Sequence, residues 1–413
     1  MALPRIRSPC SRAILDRSLA DRLRIDAVFS PDLFERRLLR GIVLDECGID
    51  RRGARFVSRA LPLCVIGGGL VGLRHARIAH SSPAVDLTAV VEVDPVRREE
   101  IAASGLPVAA DMAGVPARTE AAVIAVPTRD HFACSLEAIS KSWALLVEKP
   151  IAGTVGEADR LIGVAEEAGL PLFTGHHRRC HRLIAGFKKR LPSIGLPVAV
   201  QGLWSLRKHD DYFDIPWRMR SGGGPLMINL SHDLEMLIYL LGPIASVDAR
   251  SACIARGGSM EDTAALIMAF ECGALGSYLL SDAGASPWSF ESATGENPTL
   301  GYSGEDCMVV IGDRGALGFP SGVLWEAAAG ESPDWRNSLV RDRGRSAMTG
   351  RSDFDPLAEQ ISRFVRALEG QEVDLCSGAQ GRDALAATLA CVLSAQQGRT
   401  IALTGVPPHY DGS

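Results

Sequence analysis

LPLCVIGGGLVG, from Leu61 to Gly72, decides how this chain is read. A short apolar run meets Gly67, Gly69 and Gly72 in the spacing GxGxxG. The run has the texture of a buried parallel strand, and the glycines stand where a strand turns sharply into a helix. The first allows the tight turn, the second lets backbone approach a pyrophosphate, and the third lets helix and strand pack closely. Unpaired N–H groups and the positive dipole of that helix then favour phosphate. The next strand, DLTAVV, leads into Glu92, about twenty residues on, where a carboxylate can hold ribose hydroxyls. The pattern predicts a nicotinamide dinucleotide site. Glu92 would repel a ribose 2′-phosphate, which favours NAD; Arg97 and Arg98 follow closely enough to keep NADP open.

Working outward, residues 65–66, 87–91, 122–126 and 144–147 supply apolar strand cores. Helical patterning lies between them, as at 132–140, with a short helical connection from Asp111. This alternation predicts a Rossmann-type, doubly wound parallel sheet over 61–175, extended by a helix at 155–168 and a strand at 170–174. From about residue 196 the texture changes. Strands are expected at 198–206, 246–254, 263–270, 274–281 and 308–311, with a helix at 230–241. Runs of strands without regular alternation predict an α+β domain, 176–403, with a mainly antiparallel open sheet. Residues 325–351 read as a long surface loop. Helices at 354–369 and 379–397 close the chain and could pack back on the first domain, leaving a tail at 404–413.

The 413 residues, 46% hydrophobic, allow a large core. A net charge of −5 offers no general attraction for nucleic acid or acidic membrane. No apolar run is long enough to span a bilayer. Ten scattered cysteines without CxxC pairing predict reduced thiols and a cytoplasmic setting. Residues 1–60 mix arginines with Asp16, Asp21, Asp26, Asp32 and Glu35, a composition unlike a targeting signal. Leucines at helical spacing there fit one or two amphipathic helices that cap the protein or meet a second subunit. A segment of little functional role is the other reading.

Two clusters carry possible chemistry. Glu148-Lys149-Pro150 follows an apolar strand, and the carboxyl end of a parallel strand is where open α/β sheets bind ligands. A lysine there can donate to a substrate oxygen, and its bond to Pro150 is a candidate cis peptide. The second, SGGGPLMINLSHD, puts His232 near the start of a helix, where imidazole can exchange a proton near neutral pH. Between the clusters, HHRRCH (His176 to His181) offers zinc-ligand types, with His177 and His181 on one helical face. No second ligand cluster accompanies it, so no metal is predicted.

In order and spacing, VIGGGLVGLRHA, AVPTRDH, LLVEKPIAGT, GHHRRCH and GGGPLMINLSHDLEMLIYLLG resemble the Gfo/Idh/MocA oxidoreductases, the family of glucose–fructose oxidoreductase and inositol dehydrogenase. The resemblance covers residues 61–403. It implies an NAD(P)-dependent dehydrogenase acting on a sugar, cyclitol or related hydroxy compound, with Lys149 and His232 assisting proton transfer. It further implies cofactor contacts from Gly67, Gly69, Leu70, Val71, Gly72, Glu92 and Arg97. Pro127, Thr128, His131, Glu148 and Lys149 would complete them. Arg178, Trp204, Arg218, Asn229, His232 and Asp233 would face the substrate, and the open sheet would pair subunits into a homodimer or homotetramer. One departure stands out. Many members carry aspartate four residues before the histidine; here that position is Ile228, which cannot polarise a base. A catalytically weak dinucleotide-binding sensor is the alternative this departure keeps open.

Overall fold

The computed structural model describes residues 59–220, 222–257, 260–342 and 354–412; the helices expected before residue 59 lie outside them. Arg59–Ser413 form one compact unit built on two sheets. The first runs β3-β2-β1-β4-β5-β6, all parallel. Its strands are β1 (Leu61–Ile66), β2 (Val85–Val91), β3 (Val108–Ala109), β4 (Ala121–Ile124), β5 (Ala144–Val147) and β6 (Leu172–Thr174). Helices α1 (Leu70–Ser81), α2 (Pro95–Ala103), α3 (Thr128–Ser140) and α4 (Val155–Glu167) connect them. The β1, β4 and β5 side chains are almost wholly buried, which is why these strands read as unbroken apolar runs rather than alternating ones.

After α5 (Arg182–Arg190) the second sheet begins. Its strands are β7 (Pro197–Ser205), β8 (Ile244–Ala252), β9 (Thr263–Phe270), β10 (Leu275–Ser281), β11 (Met308–Gly312), β12 (Gly315–Phe319), β13 (Leu324–Ala327), β14 (Leu339–Asp342) and β15 (Ile401–Ala402). The order is β14-β13-β12-β11-β7-β10-β9-β8-β15, antiparallel except for β7 beside β10. Strands β9 and β10 alternate buried and open positions, so one face packs on the core. That face lies against α6 (Pro225–Ile228), the wholly buried α7 (Leu230–Leu241), α8 (Phe290–Thr294) and α10 (Gly378–Gln397). The expected loop at 325–351 is corrected in its described part. Residues 324–327 and 339–342 pair as β13 and β14, a mostly exposed ribbon with little apolar alternation to announce it.

The two sheets share their packing. Ile361, Phe364 and Val365 of α9 (Pro356–Leu368) join Leu63, Val65 and Leu146 in one cluster. The N-terminus of α10 sits so close to β6 that a side chain at Gly381 would strike Thr174. The carboxyl end of the first sheet is thereby held against the helices of the second.

Candidate active site

The glycine turn has the geometry its spacing predicts. Gly67 has φ 108°, a left-handed value that other residues avoid, and an added Cβ would meet the Ala125 carbonyl. A Cβ on Gly72 would collide with the Gly67 carbonyl oxygen, whereas one on Gly69 would meet no protein atom within 4 Å. Helix α1 has no side-chain cap and no acidic residue in its first turn, so its first N–H groups are open to an anion. Leu70 and Val71 are exposed there. At the end of β2, Glu92 Oε2 accepts from Gly68 N–H at 3.1 Å and Oε1 from Asp94 N–H at 2.9 Å. Arg97 donates to the Gly68 carbonyl at 2.9 Å. A cavity of about 580 Å³ joins Gly67, Gly69, Glu92, Arg97 and Pro127 with Val93, Met112 and Cys134. An open helix end, a glycine cradle and a carboxylate beside an apolar slot fit a dinucleotide's phosphates, ribose and adenine.

Other residues assigned to the cofactor stand elsewhere. Thr128 is the first residue of α3 and does not line the cavity. His131 is buried with its ring nitrogens facing the Pro150 carbonyl at 2.8 Å and the Val126 carbonyl at 2.9 Å, a bracing position. Glu148 turns both oxygens inward, one to His75 Nε2 at 2.7 Å and one to the Lys149 N–H at 3.1 Å. Glu148 is thereby tied to both His75 and the main chain of Lys149.

Lys149 stands past the end of β5, and its bond to Pro150 is cis. Its Nζ donates to the Ile228 carbonyl at 3.2 Å. The residue whose side chain cannot polarise a base therefore orients the lysine through its main chain. His232, in the first turn of α7, is boxed by two other imidazoles, His176 at 5.6 Å and His177 at 4.9 Å between ring centroids, both edge-on. Burial lowers the pKa of Lys149, aided by Arg178 and Lys208 and opposed by Glu148. Burial also holds His232 well below its ordinary value, reinforced by Lys149 and Arg178.

Behind this pair lies a charged network. Arg178 is bound to Asp233 at 3.1 Å and Glu291 at 2.5 Å, with Glu296 at 3.6 Å. Glu296 also bonds His177 Nε2 at 2.6 Å, and Trp204 Nε1 donates to Glu291 at 2.9 Å. Arg178 is 3% and Trp204 1% exposed, and both are held within this network. Asp233, buried in the same network, is pushed up to about 6, by burial first. Asn229 accepts from Lys208 at 2.9 Å, and Lys208 pairs with the buried Asp282 at 3.2 Å. Arg218 lies over the Tyr212 ring and donates to the Tyr212 carbonyl. The expected helical face of His177 and His181 does not form: residues 177–180 make a three-ten turn, and His181 caps α5. Among the described residues no group of three or more metal-ligating side chains comes together. The sequence reading missed His75, Glu291, Glu296 and Lys208's role. Of these only His75 had a local signal, a polar residue on the apolar face of α1.

Comparisons with known proteins give the family and the fold. The profile described as an oxidoreductase family with NAD-binding Rossmann fold matches residues 62–176, and the GFO/IDH/MocA C-terminal domain matches 192–318. A UDP-N-acetylglucosamine 3-dehydrogenase of Acidithiobacillus ferrooxidans is 26% identical over 79% of this chain and 94% of its own. A myo-inositol dehydrogenase of Streptomyces leeuwenhoekii is 28% identical over 82% and 98%. In fold, the chain is similar to an Agrobacterium radiobacter oxidoreductase solved with NAD+, L-tartaric acid and magnesium (TM-score 0.69, 18% identity, 84% and 99% covered). It is similar also to a Bordetella pertussis dehydrogenase solved with NADH and UDP-GlcNAcA (TM-score 0.65, 21% identity, 83% and 99% covered).

Proposed function

The chain belongs to the Gfo/Idh/MocA family of NAD-dependent oxidoreductases, and from that premise we propose that Lys149 and His232 handle the proton of a CH–OH/C=O interconversion on a sugar, cyclitol or related compound. NAD, when bound, accepts or returns the hydride at its nicotinamide ring. The observation that carries the reading is that two basic side chains, brought from different sheets, lie near enough for the charge of Lys149 to act on His232. Lys149 ends a strand of the first, and His232 starts a helix packed on the second. Both have pKa values lowered first by burial, a shift that favours the neutral, proton-accepting form of each. Glu92 favours NAD, because Arg97 beside it is already engaged with the Gly68 carbonyl. Relatives named for UDP-N-acetylglucosamine and for myo-inositol bracket the substrate class. Asn229, Arg218 and Lys208 provide polar groups on the second-sheet side of the site.

The test is turnover of NAD+ or NADP+ with a panel of sugars, nucleotide sugars and cyclitols, beside fluorescence titration with each reduced cofactor. Lys149→Ala should lower kcat by about 10²–10⁴ with dinucleotide binding kept. Turnover that survives it would overturn the assignment, and binding without turnover on the whole panel would favour the sensor reading.

Two coarser properties complete the proposal. The described cysteines are free thiols, which supports a reducing, cytoplasmic setting; no helix among the described residues is long and apolar enough to cross a membrane. The outer face of the second sheet exposes Ile267, Leu275, Leu279 and Ile311, an apolar surface suited to a second copy of the chain. Light scattering should give a dimer or tetramer that Leu279→Asp breaks. A monomeric mass for the unaltered protein would end that reading.

A further inference from the structure

We infer that His75 is a positioning residue, which holds Glu148, and through it the main chain of Lys149, to the helix that receives the dinucleotide. The inference rests on Lys149 as the proton-handling residue. His75 lies on α1, one turn beyond Gly72, and is fully buried beside Ala76 and Ala79. An apolar side chain could fill that position without the desolvation cost of an imidazole. Its Nε2 stands 2.7 Å from Glu148 Oε1, and its Nδ1 has no partner.

The other Glu148 oxygen accepts the Lys149 N–H at 3.1 Å, and Lys149 Nζ reaches the Ile228 carbonyl at 3.2 Å. One carboxylate thus connects a side chain of the cofactor helix to the backbone of the lysine. A second feature is built around it. Any Cβ at Gly175 would lie 2.9–3.0 Å from Glu148, so the absence of a side chain there makes the slot that Glu148 occupies.

The protonation state gives the contact its direction. Burial pushes the Glu148 carboxyl up, but the His75 hydrogen bond first, with the neighbouring His177 and Lys149, outweighs it and brings it down to about 2. Glu148 is therefore an acceptor and His75 Nε2 the donor. Without that donor a buried carboxylate would be left half satisfied, and it would turn away from the Lys149 N–H to find another partner. The lysine would lose its main-chain anchor while the glycine turn stayed intact.

The experiment compares unaltered protein with His75→Leu and His75→Gln, whose amide can still donate to Glu148. Competitive acetylation of Lys149 by trace acetic anhydride, referred to the exposed Lys189, reads the lysine directly and needs no substrate. His75→Leu should raise Lys149 labelling about threefold or more and lower kcat about tenfold or more, with the dinucleotide KM within about twofold. His75→Gln should restore most of both. Should His75→Leu fail to fold, His75→Asn, too short to span the gap, takes its place. Labelling equal to that of the unaltered protein in the non-donating variant would overturn the inference. An unaltered protein inert on every substrate would defeat the functional reading instead, with the labelling comparison still deciding the role of His75.

Discussion

The dinucleotide cleft and the site proposed to handle the proton lie at the same end of the first sheet, yet they are built in opposite ways. The cleft is one contiguous piece of chain, β1 through the start of α1, and its essential property is missing atoms. Gly67 makes the turn, Gly72 lets the helix close on it, and the first N–H groups of α1 stay open. The proton-handling site is gathered from β5, the 176–181 turn, α7 and the α8 region, and its essential property is compensated charge. Arg178 alone engages carboxylates 55, 113 and 118 residues away in sequence. Shape that is local in sequence needs no partner elsewhere, whereas a buried ion is tolerable only when the rest of the fold delivers its counter-ions. The cleft should therefore fail when atoms are added, and the other site when charges are removed.

The glycines give the largest expected effect. Gly72→Ala drives a methyl into the Gly67 carbonyl, and neither backbone can yield without opening the β1–α1 turn. It should cost about 3 kcal/mol of stability and weaken NADH binding by about two orders of magnitude. Gly69→Ala adds the same methyl where no protein atom lies within 4 Å, at φ −71°, a conformation alanine accepts. Its stability should stay within about 0.5 kcal/mol, while NADH binding falls about tenfold because phosphate must approach that backbone. Thermal unfolding and fluorescence titration separate the two. If Gly69→Ala binds NADH as the unaltered chain does, the pyrophosphate does not lie over that glycine.

The same contrast governs what could be read beforehand. Strand β9 and helix α7 have the bounds their residue pattern indicated, 263–270 and 230–241, because apolar periodicity is a local property. The glycine turn was legible for the same reason. The β13–β14 ribbon was not, since strands left mostly open to solvent have no buried stripe to display. Arg178 and Trp204 looked like ligand-facing residues in a polar stretch; a buried arginine and a free one are spelled alike. Only the fold brings up Glu291 and Glu296, which occupy both side chains from more than eighty residues away. Ile228 shows the converse. Its side chain announced a loss, yet its carbonyl, which every residue carries, does the orienting.

Removing one of those delivered charges should have a smaller effect, confined to one range of pH. Burial pushes Glu296 up, but His177 and then Arg178 prevail and bring its carboxyl from the ordinary 4.5 down to about 2. A carboxyl whose folded pKa is depressed contributes stability above its unfolded pKa, and that contribution is lost as pH falls toward the folded value. Glu296→Gln should therefore destabilise the protein by on the order of 2 kcal/mol at pH 6, with the difference shrinking between about pH 4.5 and 2. Asp233 acts with the opposite sign. Raised to about 6, chiefly by burial, it favours the folded state below its unfolded pKa and loses that share as pH climbs toward 6. Asp233 is present in both the unaltered protein and Glu296→Gln, so its contribution appears in each, changed only as far as the shared Arg178 couples the two carboxylates. Urea unfolding curves for the two proteins, taken from pH 3 to 7, should draw together at the acid end. Curves that stay parallel would mean Glu296 serves by shape alone, and the contrast between a site built from missing atoms and one built from compensated charge would not hold there.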